Sequence, residues 1–372
     1  MVHHRQGAWQ PPPATGLTRL TAVDALIVGA GPAGCAAALS LAGQRSVLLV
    51  DRRDGAMVRV GESLPAAAVR ILSDLGVMAA FQAQGHAPCH GQLSRWGSDR
   101  LVERDALRDP YGPGWHLDRA RFDVLLRGAA VARGARLLAP ADLGGIQAVE
   151  GGWSVRLGGE GAVTARILVD AGGRTAPVAR ALGHRPVADD GLACAWTHLP
   201  DTGVHPGMTL IDAEEGGWRY SAPLPGGRRI LAFHTDADLD AARSVRDRAG
   251  LLSRAAGAGL MAPLLLPNGG LDEMPGGFTA AHGAALAQPA GPGWFACGDA
   301  AGCFDPLSSQ GLFNALYTGL ATAQAADRAL SGDPAGATAL HLDRLRSVRT
   351  AYRAPLSAWY GLEQRWPDSP FW

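Results

Sequence analysis

Ala25-Leu-Ile-Val-Gly29-Ala-Gly31-Pro-Ala-Gly34-Cys-Ala-Ala-Ala-Leu-Ser-Leu-Ala42, followed by Val47-Leu-Leu-Val-Asp51, is the stretch whose reading decides the fold. A short apolar run, a glycine turn, a small-residue helix and a second apolar run form a βαβ unit with parallel strands. No charge occurs between Ala25 and Gln44, but Gly29, Gly31, Pro32 and Gly34 break the run too often for a membrane span. The glycines at 29, 31 and 34 let backbone N–H groups and a helix N-terminus approach a pyrophosphate, with Pro32 and Ala33 inside the turn. Asp51 ends the second strand, where it can accept from a ribose diol, and Arg52 beside it is counted with the same site. FAD and NAD both satisfy this fingerprint.

The 372 residues allow two or three domains. Hydrophobic residues are 47%, charged residues 18% and the formal net charge is zero, which disfavours a disordered chain and a nucleic-acid partner. All 34 basic residues are arginine, so a Schiff base or a phosphate-loop lysine is excluded. Cys35, Cys89, Cys194, Cys297 and Cys303 are scattered without a CxxC pair and read as small core residues of a reducing compartment. The histidines show no metal-ligand spacing, and no secretory signal precedes residue 25, so the expected location is the cytoplasm.

Outward from the fingerprint, Ile167-Leu-Val-Asp170 and Trp294-Phe-Ala-Cys297 end in glycine turns, as strands of the same sheet would. Leu192 to Ala287 changes to short Trp- and Gly-punctuated segments that read as antiparallel strands. The expected fold is α/β: a Rossmann-type dinucleotide-binding domain interleaved with a mostly antiparallel β substrate domain, plus C-terminal helices. The expected division is an arm at 1–22, the dinucleotide-binding domain at 23–80, 117–190 and 291–331, the substrate domain at 81–116 and 191–290, and a helical segment with an aromatic tail at 332–372. The tail from Tyr352 to Trp372 reads as exposed and suited to partner docking.

Phe295-Ala-Cys-Gly298-Asp299-Ala-Ala-Gly-Cys-Phe-Asp305-Pro306-Leu-Ser-Ser309-Gln310-Gly311-Leu312 resembles the second FAD-contacting motif of the flavoprotein monooxygenase superfamily. The resemblance implies that Gly298 and Asp299 meet the ribityl chain and that Pro306, Gly311 and Leu312 lie beside the isoalloxazine ring. Asp170-Ala-Gly-Gly-Arg174 resembles that superfamily's Asp-Gly motif but has Gly172 where Ser or Thr is usual, and Arg119-Ala-Arg-Phe-Asp123 resembles the segment whose arginine lies near FAD. A capping role for Asp118 and a packing role for Phe122 fit the latter equally.

Gly61-Glu62-Ser63-Leu-Pro65 and Trp218-Arg-Tyr-Ser-Ala-Pro223 resemble motifs of the tryptophan-halogenase-like branch. Halogenases of that branch rely on a lysine, which this chain lacks, so halogenation is disfavoured. With Gly114 to Asp123 and Glu363 to Trp372, the chain is similar to the maturation flavoproteins that accompany tryptophylquinone amine and amino-acid oxidases. That resemblance implies an FAD-dependent monooxygenase that hydroxylates an indole-type ring, a tryptophan of a partner polypeptide, through a flavin hydroperoxide. Oxygen would be the co-substrate, and reduced nicotinamide or a separate flavin reductase the electron donor.

Glu62, Ser63, Ser309 and Gln310 are the candidate catalytic residues, with Glu62 taking the ring proton, against the alternative that Ser63 caps a helix. Trp96, Trp115, Trp196, Trp218 and Tyr220 are candidate walls of an aromatic pocket, each equally suited to a core. Two other readings stand: a flavin-dependent reductase of isoprenoid or other alkenes, and an FAD-bearing scaffold that binds a partner without catalysis.

Overall fold

The computed structural model describes residues 22–55, 57–159, 161–257, 259–265 and 274–372. Residues 1–21 of the expected arm lie outside these, and Ala22 opens the first strand instead of closing the arm. The principal elements are β1 (Ala22–Val28), α1 (Pro32–Leu41), β2 (Val47–Val50), β3 (Gly91–Arg95), β4 (Val102–Asp105), α2 (Arg119–Ala132), β5 (Arg136–Leu138) and β6 (Gly161–Asp170). They continue as β7 (Leu192–Pro200), β8 (Met208–Glu214), β9 (Gly217–Leu224), β10 (Arg228–Asp236), β11 (Gly276–Ala280), β12 (Trp294–Ala296), α3 (Gly311–Leu330) and α4 (Pro334–Tyr360).

The first sheet has a parallel core in the order β12-β6-β1-β2-β5. β1 is central, and its near-continuous apolar run is buried on both faces, as a parallel strand between two layers must be. The chain leaves β1 toward β2 on one side while β6 lies on the other, so the strand order reverses at the C-terminal end of β1, where open α/β sheets bind ligands. α1 is built of small residues because α3 crosses it closely: a Cβ on Gly319 would stand 2.2 Å from the Ala33 carbonyl oxygen.

The second sheet runs β11-β7-β10-β9-β8-β3-β4. Sequence periodicity predicts antiparallel strands here, and most pairs are, but β8 and β3 pair in parallel, which needs a long excursion between them that local pattern does not show. Ala284–Leu286 also leaves this sheet, pairing instead with Pro186–Ala188 and Gly302–Cys303. One face is covered by the segment around Leu251, Met261 and Leu264. The other face carries Cys194, Trp196 and His198 on alternate positions of β7, and Trp218, Tyr220 and Ala222 on β9.

The C-terminal tail, expected to be exposed, packs in part on the protein itself. Tyr352 is 3% exposed, Trp96 Nε1 donates to the Trp359 carbonyl at 2.7 Å, and Ser369 Oγ and Trp372 Nε1 donate to the carbonyls of Glu215 and Glu214. Its aromatic rings close over Trp96 and Trp218 and are half-buried against the protein's own second sheet, while Leu362 stays exposed. The five cysteines are free, and all but Cys89 are buried. No helix among the described residues is long and apolar enough to cross a membrane.

Candidate cofactor and substrate site

Three separated segments converge on Ala33. Gly29 has φ +107 and a Cβ there would stand 2.2 Å from the Ala171 carbonyl oxygen, and a Cβ on Gly34 would stand 1.9 Å from that of Gly29. Gly298, at φ +56, has room for no more than hydrogen against the Ala33 methyl, which a Cβ would meet at 2.7 Å. Gly31 is different: nothing lies within 4 Å of where its Cβ would be. α1 therefore opens on free space, with no acidic residue in its first turn and no side-chain cap, and an anion there would meet unopposed N–H groups.

Asp51 is held more tightly than a lone ribose acceptor would be. Its Oδ2 accepts from Ala30 N–H at 2.8 Å and Arg127 Nη2 at 3.1 Å, and its Oδ1 accepts from Arg53 N–H at 2.9 Å. Arg127 also donates to the carbonyls of Ala30 and Arg53, so one buried guanidinium fixes both sides of the glycine turn. Arg127 was not singled out from sequence, although Arg119, Asp123 and Arg127 recur at the i, i+4, i+8 spacing of one helix face. Arg119 pairs with Asp123 and donates to the Gly61 carbonyl at 2.9 Å, and Asp118 caps α2 by accepting from Arg121 N–H. Arg52 is exposed.

Asp299 is half-buried, and burial pushes its carboxyl above the usual range against the pull of Arg174, Arg119 and Arg59. Gly172, the departure from the family pattern, is dictated by packing: a Cβ would meet the Pro177 ring at 2.3 Å. Asp170 accepts from Gly172 and Ala179 N–H groups, and burial raises it to about 6. The loop Asp305–Gln310 leads into α3, with Ser309 left-handed at φ +51, Ser308 Oγ donating to the Asp305 carbonyl, and Gln310 exposed. Gly311 again faces open space, Leu312 is buried, and α3 starts without a side-chain cap or an acidic first turn. Two uncapped helix starts beside glycines with room around them suit a pyrophosphate and a flat ring, so the residues present fit FAD.

The second site lies on the inner face of the second sheet. In register across three strands, Ala232 separates Trp196 from Tyr220, and Ile230 separates His198 from Ala222. Glu62 stands over this face: it is 2% exposed, its Oε2 accepts from Gly61 N–H at 2.8 Å, and its Oε1 has no hydrogen-bond partner. His198 Nε2 lies 3.9 Å from that oxygen, and neither ring nitrogen of this 3% exposed histidine has a partner. Burial, and then the Glu62 charge, pushes the Tyr220 hydroxyl and the Cys194 thiol well above their ordinary values. Glu62 Oε1 and the His198 ring lie within ion-pair distance but make no hydrogen bond, and a ligand with polar groups would supply the missing ones.

The candidate aromatic wall divides. Trp196 and Tyr220 share the face beside Glu62, whereas Trp218 is fully buried, stacked on His234 at 3.7 Å, and Trp96 packs edge-on to it among the tail rings. Trp115 packs edge-on to Phe81 in the core beneath the first sheet, because its strand pairs with Ser63–Leu64 there. Ser63 is in that short strand, and the following helix has Ala67 at its start with no side-chain cap, which removes the capping alternative. His198 was missed by sequence reading; its one signal is that it alternates with Cys194 and Trp196 on a single strand face.

Residues 22–206 match the FAD binding domain family. A protein described as FAD-dependent oxidoreductase LodB, of Marinomonas mediterranea, is 29% identical over 94% of this chain and 95% of its own. The solved myxobacterial chondrochloren halogenase CndH superposes with a TM-score of 0.85 at 25% identity, over 95% of this chain and 85% of its own. The peptidyl tryptophan dihydroxylase QhpG gives 0.74 at 23% identity, over 95% of this chain and 78% of its own. By its glycine turn, its sheet order and these likenesses, the chain is an FAD-dependent oxidoreductase with the fold of the halogenase-like monooxygenase branch.

Proposed function

We propose that the protein hydroxylates an indole-type ring, a tryptophan side chain within a partner polypeptide, at the face formed by Trp196, Tyr220 and Glu62. The observation that carries this reading is the unpaired, buried Glu62 Oε1 facing the unpaired His198 Nε2 beside two aromatic rings. FAD, when bound and reduced, supplies the chemistry of oxygen activation. Its adenine half would be held by Gly29, Gly31, Gly34, Asp51 and the start of α1, and its ring half by Asp299 and the Pro306–Leu312 segment.

The chain's own residues then have limited tasks. Trp196 and Tyr220 flank the small Ala232, and a flat ring placed between them is oriented by stacking and edge contacts. Replacing a ring hydrogen by hydroxyl releases one proton, and Glu62 Oε1 is the acceptor, held in place through Gly61 by Arg119. Burial of Glu62 and His198 keeps bulk water from competing for that position. Oxygen is the co-substrate, and electrons come from reduced nicotinamide or a separate flavin reductase. The absence of lysine sets halogenation aside, and the fold shared with a peptidyl tryptophan dihydroxylase supports a polypeptide substrate.

The test is to load the protein with FAD, reduce it without air, mix it with oxygen, and follow flavin absorbance and peptide mass with and without tryptophan-bearing peptides. Flavin reoxidation that responds to the peptide, with one or more oxygens gained by it, supports the proposal. Reoxidation unaffected by any aromatic compound, with no mass change, would sink it.

A further inference from the structure

One carboxylate organises the loop that leads into α3. Asp305 is 3% exposed, and its Oδ1 accepts from Leu307 N–H at 2.8 Å while its carbonyl accepts from Ser308 Oγ at 2.7 Å. Two further contacts come from α4: its N–H donates to the Tyr352 hydroxyl at 2.8 Å, and its Oδ2 accepts from the Tyr360 hydroxyl at 2.8 Å. The Tyr360 oxygen in turn accepts from Trp218 Nε1 at 3.2 Å, on β9 of the second sheet, and Trp218 is clamped flat against His234. The turn so held includes Ser309, a non-glycine residue in the left-handed region, which persists only where the surroundings over-determine it.

We propose that Asp305 and Tyr360 are positioning residues for the cofactor. They hold the Pro306–Gln310 turn, and with it Ser309 and the open start of α3, where the flavin ring would lie. The anchorage comes from the substrate sheet through Trp218. The C-terminal helix is thus a strut between the two sheets, and the sheet that carries Trp196 and Tyr220 is tied by hydrogen bonds to the loop that faces the ring.

The experiment uses the full chain with one hydroxyl removed, Tyr360→Phe, which keeps the ring in its packing against Trp96 and Trp372. FAD affinity, read by quenching of flavin fluorescence, is expected to weaken about five- to tenfold, the size of one lost hydrogen bond. The reduction potential of the bound flavin is expected to move as well. Asp305→Asn, of the same size, tests the same hold from the other end should Tyr360→Phe fail to fold. Adding Ser309→Gly to Tyr360→Phe is expected to recover much of the affinity, since glycine adopts the left-handed turn without being held. A lower melting temperature with unchanged FAD affinity and unchanged potential in the folded variants would overturn the proposal. So would a failure of Ser309→Gly to recover any affinity.

Discussion

At the nucleotide end of the molecule the acid of the glycine turn is fully engaged: both oxygens of Asp51 accept hydrogen bonds, and Arg127 spans the turn from Ala30 to Arg53. At the inner face of the second sheet the reverse holds, with Glu62 Oε1 and both nitrogens of His198 left without partners in a buried setting. The first region presents backbone and open space to a ligand whose pyrophosphate and flat ring never vary. The second leaves an acceptor on Glu62 and an imidazole on His198 that can donate, which suits a molecule with polar groups of its own. The glycine turn and its acid are therefore drawn from one stretch of sequence, Gly29 to Asp51, while the proposed substrate face is assembled from Glu62, β7, β9 and β10.

The comparison breaks most severely at the glycines. Gly34→Ala would press a methyl to within 1.9 Å of the Gly29 carbonyl oxygen, and it is expected to cost more than about 4 kcal/mol and give flavin-free, poorly folded protein. Gly31→Ala meets no protein atom within 4 Å, so the melting temperature without FAD should stay unchanged while FAD binding weakens at least about tenfold. Equal loss of fold in both variants would show that the space at Gly31 is not for a ligand. Flavin content on purification and thermal melts distinguish the two.

On the substrate side, Glu62→Gln is expected to lower turnover by about 10²- to 10⁴-fold with FAD affinity intact. Steady-state rates beside a flavin titration check it, and a matched fall in FAD affinity would move Glu62 into the cofactor site. Trp196→Ala should raise KM for a tryptophan peptide by about tenfold with a smaller effect on kcat, from the loss of one aromatic contact worth roughly 1–2 kcal/mol. An unchanged KM would return Trp196 to the core.

The smallest expected effect, per pH unit, sharpens the comparison through protons. Burial lowers His86, His116 and His341 to about 4 and His234 to about 3, and raises Asp170 and Asp305 to about 6. Between about pH 6 and 4 the unfolded chain binds a proton at each of the four histidines that the folded protein does not. The folded protein in turn keeps a proton at the two carboxyls that the unfolded chain has released, and burial raises Asp236 and Asp299 in the same sense. The imidazoles favour the unfolded state on acidification and the carboxyls oppose them, so stability should fall with acidification across that window by less than the four histidines alone would give. Denaturant midpoints from pH 7 to 4 measure it, and a flat or rising profile would show that the carboxyls outweigh the imidazoles.

Much of the nucleotide end was readable beforehand because its rules are local. A glycine that must approach a carbonyl, a strand followed by a small-residue helix, and an acid at the end of the next strand all lie within 27 residues, from Ala25 to Asp51. The aromatic residues were harder to place, because a tryptophan in a strand is apolar on whichever face it lands. Trp96 and Trp218 joined the tail, Trp115 joined the core beneath the first sheet, and only Trp196 and Tyr220 met Glu62. The tail was only partly legible for a related reason: Trp366-Pro-Asp-Ser-Pro-Phe-Trp372 gives no local sign of the sheet its rings pack against.

By itself the sequence determined a parallel βαβ nucleotide fold, an FAD-type second motif, and a chain with no lysine chemistry. These depend on backbone freedom and residue type at fixed short spacings, which linear order records directly. Only the tertiary structure decided that His198 faces Glu62, that Arg127 locks the glycine turn, and that Tyr360 reaches Asp305 from a distant helix. Each of those pairs joins residues more than 50 positions apart, so their meeting is set by sheet order and helix packing, to which no local pattern in the chain is bound.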